Sequence, residues 1–145
     1  MSARYAFDTN ILAYAEGIQK SPDDAIKSRR ASLLVAHLDQ ANAEMAAPVQ
    51  VMAELHDVLV RKGRYSRLEA GLRIDRWCRT LSILPTSVEI LKAATKLSAE
   101  HQFRIYDCII LAAAAEYRCD QLLSEDMQHG FVWRGVEVVN PFIEG

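Results

Sequence analysis

Arg4-Tyr5-Ala6-Phe7-Asp8-Thr9-Asn10-Ile11-Leu12 begins as a short β-prone segment, breaks at an acid, and continues with apolar residues at helical spacing. A strand over Arg4 to Phe7 that passes straight into a helix from about Thr9 to Ala15 is the opening of an α/β layer structure. The same exchange recurs along the chain. Ala31, Leu34, Val35 and Leu38 fall three and four apart, which predicts a helix from about Asp24 to Ala43. Met45-Ala46-Ala47 is a short buried segment, and Pro48 suits the first turn of a helix. Val51, Met52, Leu55, Val58 and Leu59 form that helix's apolar stripe to about Lys62, where Gly63 stops it. Ser66 with Glu69 is a capping box opening a helix to about Arg79. Ser82-Ile83-Leu84 is a strand closed by Pro85, and Thr86 or Ser87 caps a helix to about His101. A last helix runs from Tyr106 to about Tyr117, and strands at Gln121–Ser124 and Val136–Val139 follow it. Strands alternating with helices predict a parallel sheet covered on both faces. The expectation is one α/β three-layer domain over residues 1–145, with five strands and six or seven helices. Its one long loop is Glu16 to Asp24.

Composition agrees. Half of the 145 residues are apolar and a quarter are charged, enough for one core that buries roughly 70% of the unfolded surface. A net charge of −2 and a pI near 6.1 exclude nucleic-acid binding by bulk basicity, whose footprint is a pI above about 9. The first residues contain no apolar stretch of signal-peptide length. The longest apolar run, Cys108 to Ala115, is far short of the ~20 residues that span a bilayer. Cys78, Cys108 and Cys119 are odd in number and form no CxxC pair, which reads as reduced, buried thiols in a cytoplasmic protein.

Open α/β sheets gather function at the carboxyl ends of their strands. The first strand ends in Asp8-Thr9-Asn10 and the fourth in Ser124-Glu125-Asp126. If these strands are neighbours, their acids share a crevice. Glu54 lies at the margin of the Val51, Leu55 and Val58 stripe, with Asp57 further out. A carboxylate at the edge of a buried face is costly unless paired or bound to a metal. Asp107 precedes Cys108-Ile109-Ile110-Leu111 and four alanines, so it opens the most apolar helix in the chain, whose acidic first turn should point at the rim of the sheet. Each acid also has an ordinary reading. Asp8 and Asp107 suit helix N-caps, Glu54 a solvated flank near Arg61, and Asp126 a turn. Their combination, from four segments at one end of one sheet, is what points to chemistry. Clustered carboxylates repel unless a cation joins them. Oxygen donors without His or Cys suit Mg²⁺ or Mn²⁺, which activates water for attack on a phosphodiester. Asn10 and Ser124 suit hydrogen bonds that orient such ligands.

Phe7-Asp8-Thr9-Asn10-Ile11-Leu12, Ala53-Glu54-Leu55, Tyr106-Asp107-Cys108-Ile109-Ile110 and Leu122-Leu123-Ser124-Glu125-Asp126 together resemble the PIN-domain ribonucleases. The similarity is greatest to the toxins of VapBC-type toxin–antitoxin pairs, and it covers essentially the whole chain. The resemblance implies a parallel sheet of order 3-2-1-4-5, which makes strands one and four neighbours. It implies a metal-dependent endoribonuclease with Asp8, Glu54, Asp107 and Asp126 as the acidic metal-binding set, and Asn10 and Ser124 in support. It also implies an antitoxin that wraps the groove, and a homodimer. The family's Ser/Thr-x-Asp pattern favours Asp126 over Glu125 as the residue facing the metal.

Lys27, Arg29 and Arg30, and Arg61, Lys62, Arg64 and Arg67, read either as a solvated face or as a rim that positions phosphates without reading bases. Arg64 and Arg67 are the expected RNA contacts. Ile11, Leu12, Leu33 and Leu34 are either core or a partner surface. A phospho-acceptor receiver domain fits the length, but it needs an acidic pair after the first strand, an Asp ending the third and a Lys ending the fifth. Pro85 and Asn140-Pro141 stand at the last two places. Asn10 likewise disfavours an Asp-x-Asp phosphotransferase-type hydrolase. A catalytically weak PIN-fold RNA-binding module stays open, and metal dependence separates it from a nuclease.

Overall fold

The structure is a computed structural model that describes residues 3–19 and 21–143. Arg4–Phe7 forms strand β1, with Ala6 and Phe7 completely buried. Helix α1 (Thr9–Ala15) follows at once, capped by the Asp8 carboxylate, which accepts from the Thr9 N–H. Helix α2 (Asp24–Gln40) leads to β2 (Glu44–Pro48), and Pro48 then caps α3 (Val49–Arg61). Helix α4 (Arg67–Thr80) precedes β3 (Ser82–Leu84), and α5 (Val88–His101) is joined by a short turn to α6 (Ile105–Glu116). Strands β4 (Gln121–Leu123), β5 (Val132–Trp133) and β6 (Val136–Val139) complete the chain.

The sheet order is β3-β2-β1-β4-β6-β5. All pairs are parallel except β5 with β6. The expected five-strand order 3-2-1-4-5 is therefore present as β3-β2-β1-β4-β6, and β5 is an addition to it. It is a two-residue edge strand, returned by Arg134 and Gly135, both at positive φ. Two successive positive φ values make the tight primed hairpin turn whose twist matches a β-ribbon. Two residues are too few to show an alternating pattern, so this strand leaves no trace in the hydropathy.

Both serine caps form: Ser66 accepts from the Glu69 N–H and Ser87 from the Ile90 N–H. Gly63 ends the turn after α3, and a Cβ there would meet the Leu59 carbonyl at 2.7 Å. Helix α2 stops short of Ala43, because Asn42 takes a left-handed conformation and Ala43 N–H returns to Leu38 O. Asn tolerates that region better than other side chains. The α6 helix begins at Ile105, with Arg104 at the N-cap, so Asp107 lies inside its first turn and is not its cap.

Helix α6 is buried from Cys108 to Ala114, and its alanines let it lie close to the sheet. Ile11 and Leu12 are fully buried, which assigns them to the core and not to a partner surface. Leu33 is exposed and Leu34 half-buried, lining a shallow apolar groove with Arg30, His37 and Pro141. The three cysteines are free. Cys108 and Cys119 are buried, but Cys78 is exposed, because it lies on the outer face of α4. Among the described residues no helix is long and apolar enough to cross a membrane.

Candidate active site

Neighbouring β1 and β4 end together, with Phe7 opposite Leu123 and the Asp8 N–H bonded to Leu123 O at 2.9 Å. That register sets the two acidic turns side by side. A cleft of about 540 Å³ opens at this edge, lined by Asp8, Thr9, Asn10, Glu54, Asp107 and Asp126. All four predicted acids therefore share one cavity, each delivered by a different element.

Asp8 is the floor. It is 4% exposed, and both its oxygens are engaged: Oδ1 accepts from Thr9 N–H at 2.7 Å and Oδ2 from the Ser124 hydroxyl at 2.7 Å. Ser124, wholly buried, also accepts from the N–H groups of Asp126 and Met127 at 3.2 and 3.4 Å. One hydroxyl thus ties the turn carrying Asp126 to the carboxylate ending β1. Asn10 donates from Nδ2 to Asp126 Oδ2 at 2.6 Å. Both expected supporting residues contact the acids directly.

Burial, with added repulsion from Asp107 and Asp126, pushes the Asp8 carboxyl up to about 7, against the opposing hydrogen bonds of Ser124 and Thr9. Asp107 is also raised, first by burial and then by the charge of Asp126; Arg104 opposes this. Among the described residues no hydrogen bond reaches the Asp107 carboxylate. Glu54 stands at the cleft edge, accepting from Thr9 Oγ1 at 2.6 Å and from Gln50 Nε2 at 3.0 Å. Arg61 pairs with Asp57 at 2.8 Å and not with Glu54.

Glu125 points elsewhere. Its carboxylate takes the Tyr14 hydroxyl and the Lys27 ammonium, both at 2.8 Å, under the edge of α2. Of the adjacent pair, only Asp126 lines the cleft. Arg64 and Arg67 are exposed beyond the end of α3 and do not line it. Arg61 and Arg104 do, so the acids are not without cations beside them. Thr9 and Tyr106 stand inside the stretches that carry Asp8 and Asp107 but have no role assigned by sequence, and Gln50 and Arg104 lie four and three residues before Glu54 and Asp107 with no motif of their own.

The donor set fits a hard divalent cation: four carboxylates, no His or Cys, and buried like charges that a cation would relieve. As the side chains stand, no three acidic, His or Cys groups among the described residues converge on one point that could hold an ion. Asp126 and Glu54 are instead turned toward Asn10 and Thr9.

The PIN-domain family model matches residues 5–130. The chain belongs to the PIN-domain family. A solved toxin–antitoxin complex from Klebsiella pneumoniae has a similar fold, with a TM-score of 0.68 at 23% identity over 97% of this chain and 98% of that one. VapBC2 from Rickettsia felis, bound to a DNA fragment from its promoter, gives 0.61 at 21% identity over 85% and 87%. VapC20 from Mycobacterium tuberculosis, a sarcin–ricin loop cleaving toxin, gives 0.60 at 14% identity over 84% and 91%. No curated protein matches this PIN domain by sequence.

Proposed function

We propose that this PIN domain is a metal-dependent endoribonuclease and the toxin of a toxin–antitoxin pair, working in the cytoplasm. Asp8, Asp107 and Asp126 would hold Mg²⁺ or Mn²⁺, and Glu54 completes the catalytic acids. The observation that carries this is the convergence of four acids from β1, α3, α6 and the turn after β4 on one cleft. A cation held there supplies a water of lowered pKa and screens the charge on the scissile phosphate. The protein's own part is to position the acids. Ser124 holds Asp8 and the Asp126 turn in a fixed relation, and Thr9 with Gln50 holds Glu54 at the rim, where it would orient the attacking water.

The toxin role draws support from the fold shared with a Klebsiella toxin–antitoxin complex and with VapC20. An antitoxin partner and a homodimer belong to the same proposal. The groove at Leu33 and Leu34 is one apolar surface open to either. A second reading, a PIN-fold module that binds RNA with little cleavage, is favoured by the hydrogen bonds that turn Asp126 and Glu54 toward protein donors. Cleavage of single-stranded RNA with and without chelator separates the two. The expected result is loss of cleavage with EDTA and recovery on adding Mn²⁺. Cleavage that persists in EDTA refutes the metal mechanism, and no cleavage under any metal favours the binding module.

Arg64 and Arg67, exposed a few residues past the cleft-lining Arg61 in the chain, are proposed to hold phosphates without reading bases. Reversing both charges is expected to weaken RNA binding most at low salt. It should flatten the plot of log affinity against log salt by about 0.7 per lost contact, the single-strand value. An unchanged slope removes these residues from the interface.

A further inference from the structure

Tyr106 is 57% exposed although it opens the most apolar helix in the molecule. Its ring is not among the side chains packed against the core, and it has no aromatic neighbour among the described residues. Its hydroxyl makes no hydrogen bond among them either. Yet the residue lines the same cleft as the four acids, immediately before Asp107. Two residues earlier, Arg104 also lines the cleft. It forms no ion pair within 4 Å among the described residues, whereas Arg61, which also lines the cleft, is held by Asp57. An unstacked ring and a guanidinium that Asp107 attracts without an ion pair within 4 Å therefore both line the cleft beside the acids.

We propose that Tyr106 and Arg104 form a nucleotide-binding subsite. The Tyr106 ring stacks on the base next to the cut, and Arg104 takes that nucleotide's phosphate. This rests on the ribonuclease reading above and deepens it by naming what fixes the strand beside the acids. Every base offers a π-face, so stacking alone tolerates sequence and gives a modest preference by ring size. Arg104 adds a charge-assisted bond to phosphate oxygens. The acids by themselves repel a polyanion, and Tyr106 and Arg104 supply attraction that the acids cannot.

The test is steady-state cleavage of an end-labelled single-stranded RNA, intact or with one abasic residue on either side of the cut. Tyr106→Ala is expected to raise KM on the order of ten-fold, the scale of one lost base stack, with a smaller change in kcat. Tyr106→Phe, which keeps the ring, restores most of that loss; Tyr106→Leu, which keeps bulk without the π-face, does not. An abasic residue on one side of the cut costs the unsubstituted protein a similar factor and costs Tyr106→Ala nothing further. Arg104→Gln raises KM in a salt-dependent way. Thermal melts confirm folding, and the exposure of the ring predicts little change. Tyr106→Ala with an unaltered KM, or losses that add with the abasic residue, overturn the subsite. An unsubstituted protein that cuts no RNA overturns the ribonuclease reading instead.

Discussion

Asp107→Asn is expected to lower RNA cleavage by roughly 10³-fold while leaving the protein folded. The magnitude follows from what the residue lacks. Groups that only orient a metal ligand typically cost about 10–100-fold when removed, and Ser124 and Asn10 belong to that group. Asp107 is different, because no protein donor occupies its carboxylate among the described residues and its charge is opposed by Asp126 and Glu54. It is the acid freest to bind an ion, so losing its charge removes a contact and not merely its alignment. The same features make the substitution mild for folding. Asn has the same shape, loses a first-turn acid worth about 0.3–1 kcal/mol, and gains relief from repulsion. Glu125→Gln is the matched control. It removes the adjacent turn's charge outside the cleft, where Tyr14 and Lys27 hold it, and activity should stay within a few-fold. Equal losses in both variants would point to a general disturbance of the Asp126 turn.

How much of this was legible in the sequence differs between fold and site, for physical reasons. Period and caps show local structure directly. The stripe Val51, Met52, Leu55, Leu59 and the caps Ser66 and Ser87 therefore read correctly. Edge elements carry little pattern: β5 has none to read, and Cys78, expected among the buried thiols, faces out. The acids were legible because each ends a strand or flanks a buried stripe. Their meeting was not readable from spacing alone; it depends on β1 lying beside β4, which the family resemblance supplied and the register confirms. The orientation of neighbouring side chains was the least legible part. In Ser124-Glu125-Asp126 the Ser/Thr-x-Asp pattern of the resemblance favours Asp126, which does line the cleft, but it gives no physical reason for Glu125 to turn away. The separation comes from Tyr14 and Lys27, more than 90 positions away, which draw Glu125 to the opposite side. Arg104 and Tyr106 were missed for a similar cause. A single cation and a single ring have no period, and that both line the cleft without an ion pair within 4 Å or a stacked ring among the described residues is a fact of tertiary structure.

Metal-free protein is expected to become less stable as pH rises from about 5 to 8, the reverse of the usual carboxylate behaviour. The sign follows from Asp8. Its carboxyl lies at about 7 in the folded chain against 3.8 when unfolded. Between those values the native state holds a proton that the unfolded state has released, so unfolding is favoured by each increment of pH. Below the unfolded value both states are protonated and the effect is absent; above about 7 it is complete. The full span corresponds to on the order of 4 kcal/mol, and Asp107, raised for the same leading reason, acts in the same direction. About 3 kcal/mol of this is lost between pH 5 and 8, so at about 2–4 °C per kcal/mol for a domain of this size the melting temperature should fall by roughly 5–10 °C across that range. Asp8→Asn keeps an acceptor for the Thr9 N–H and removes the buried charge. It should flatten most of the slope and melt above the unsubstituted protein at pH 8. Mn²⁺ binds the deprotonated acids, so its stabilisation should be larger at pH 8 than at pH 5. A melting temperature that climbs with pH in chelator would mean that Asp8 is ionised in the folded protein throughout, and that the cleft tolerates its charge without a cation.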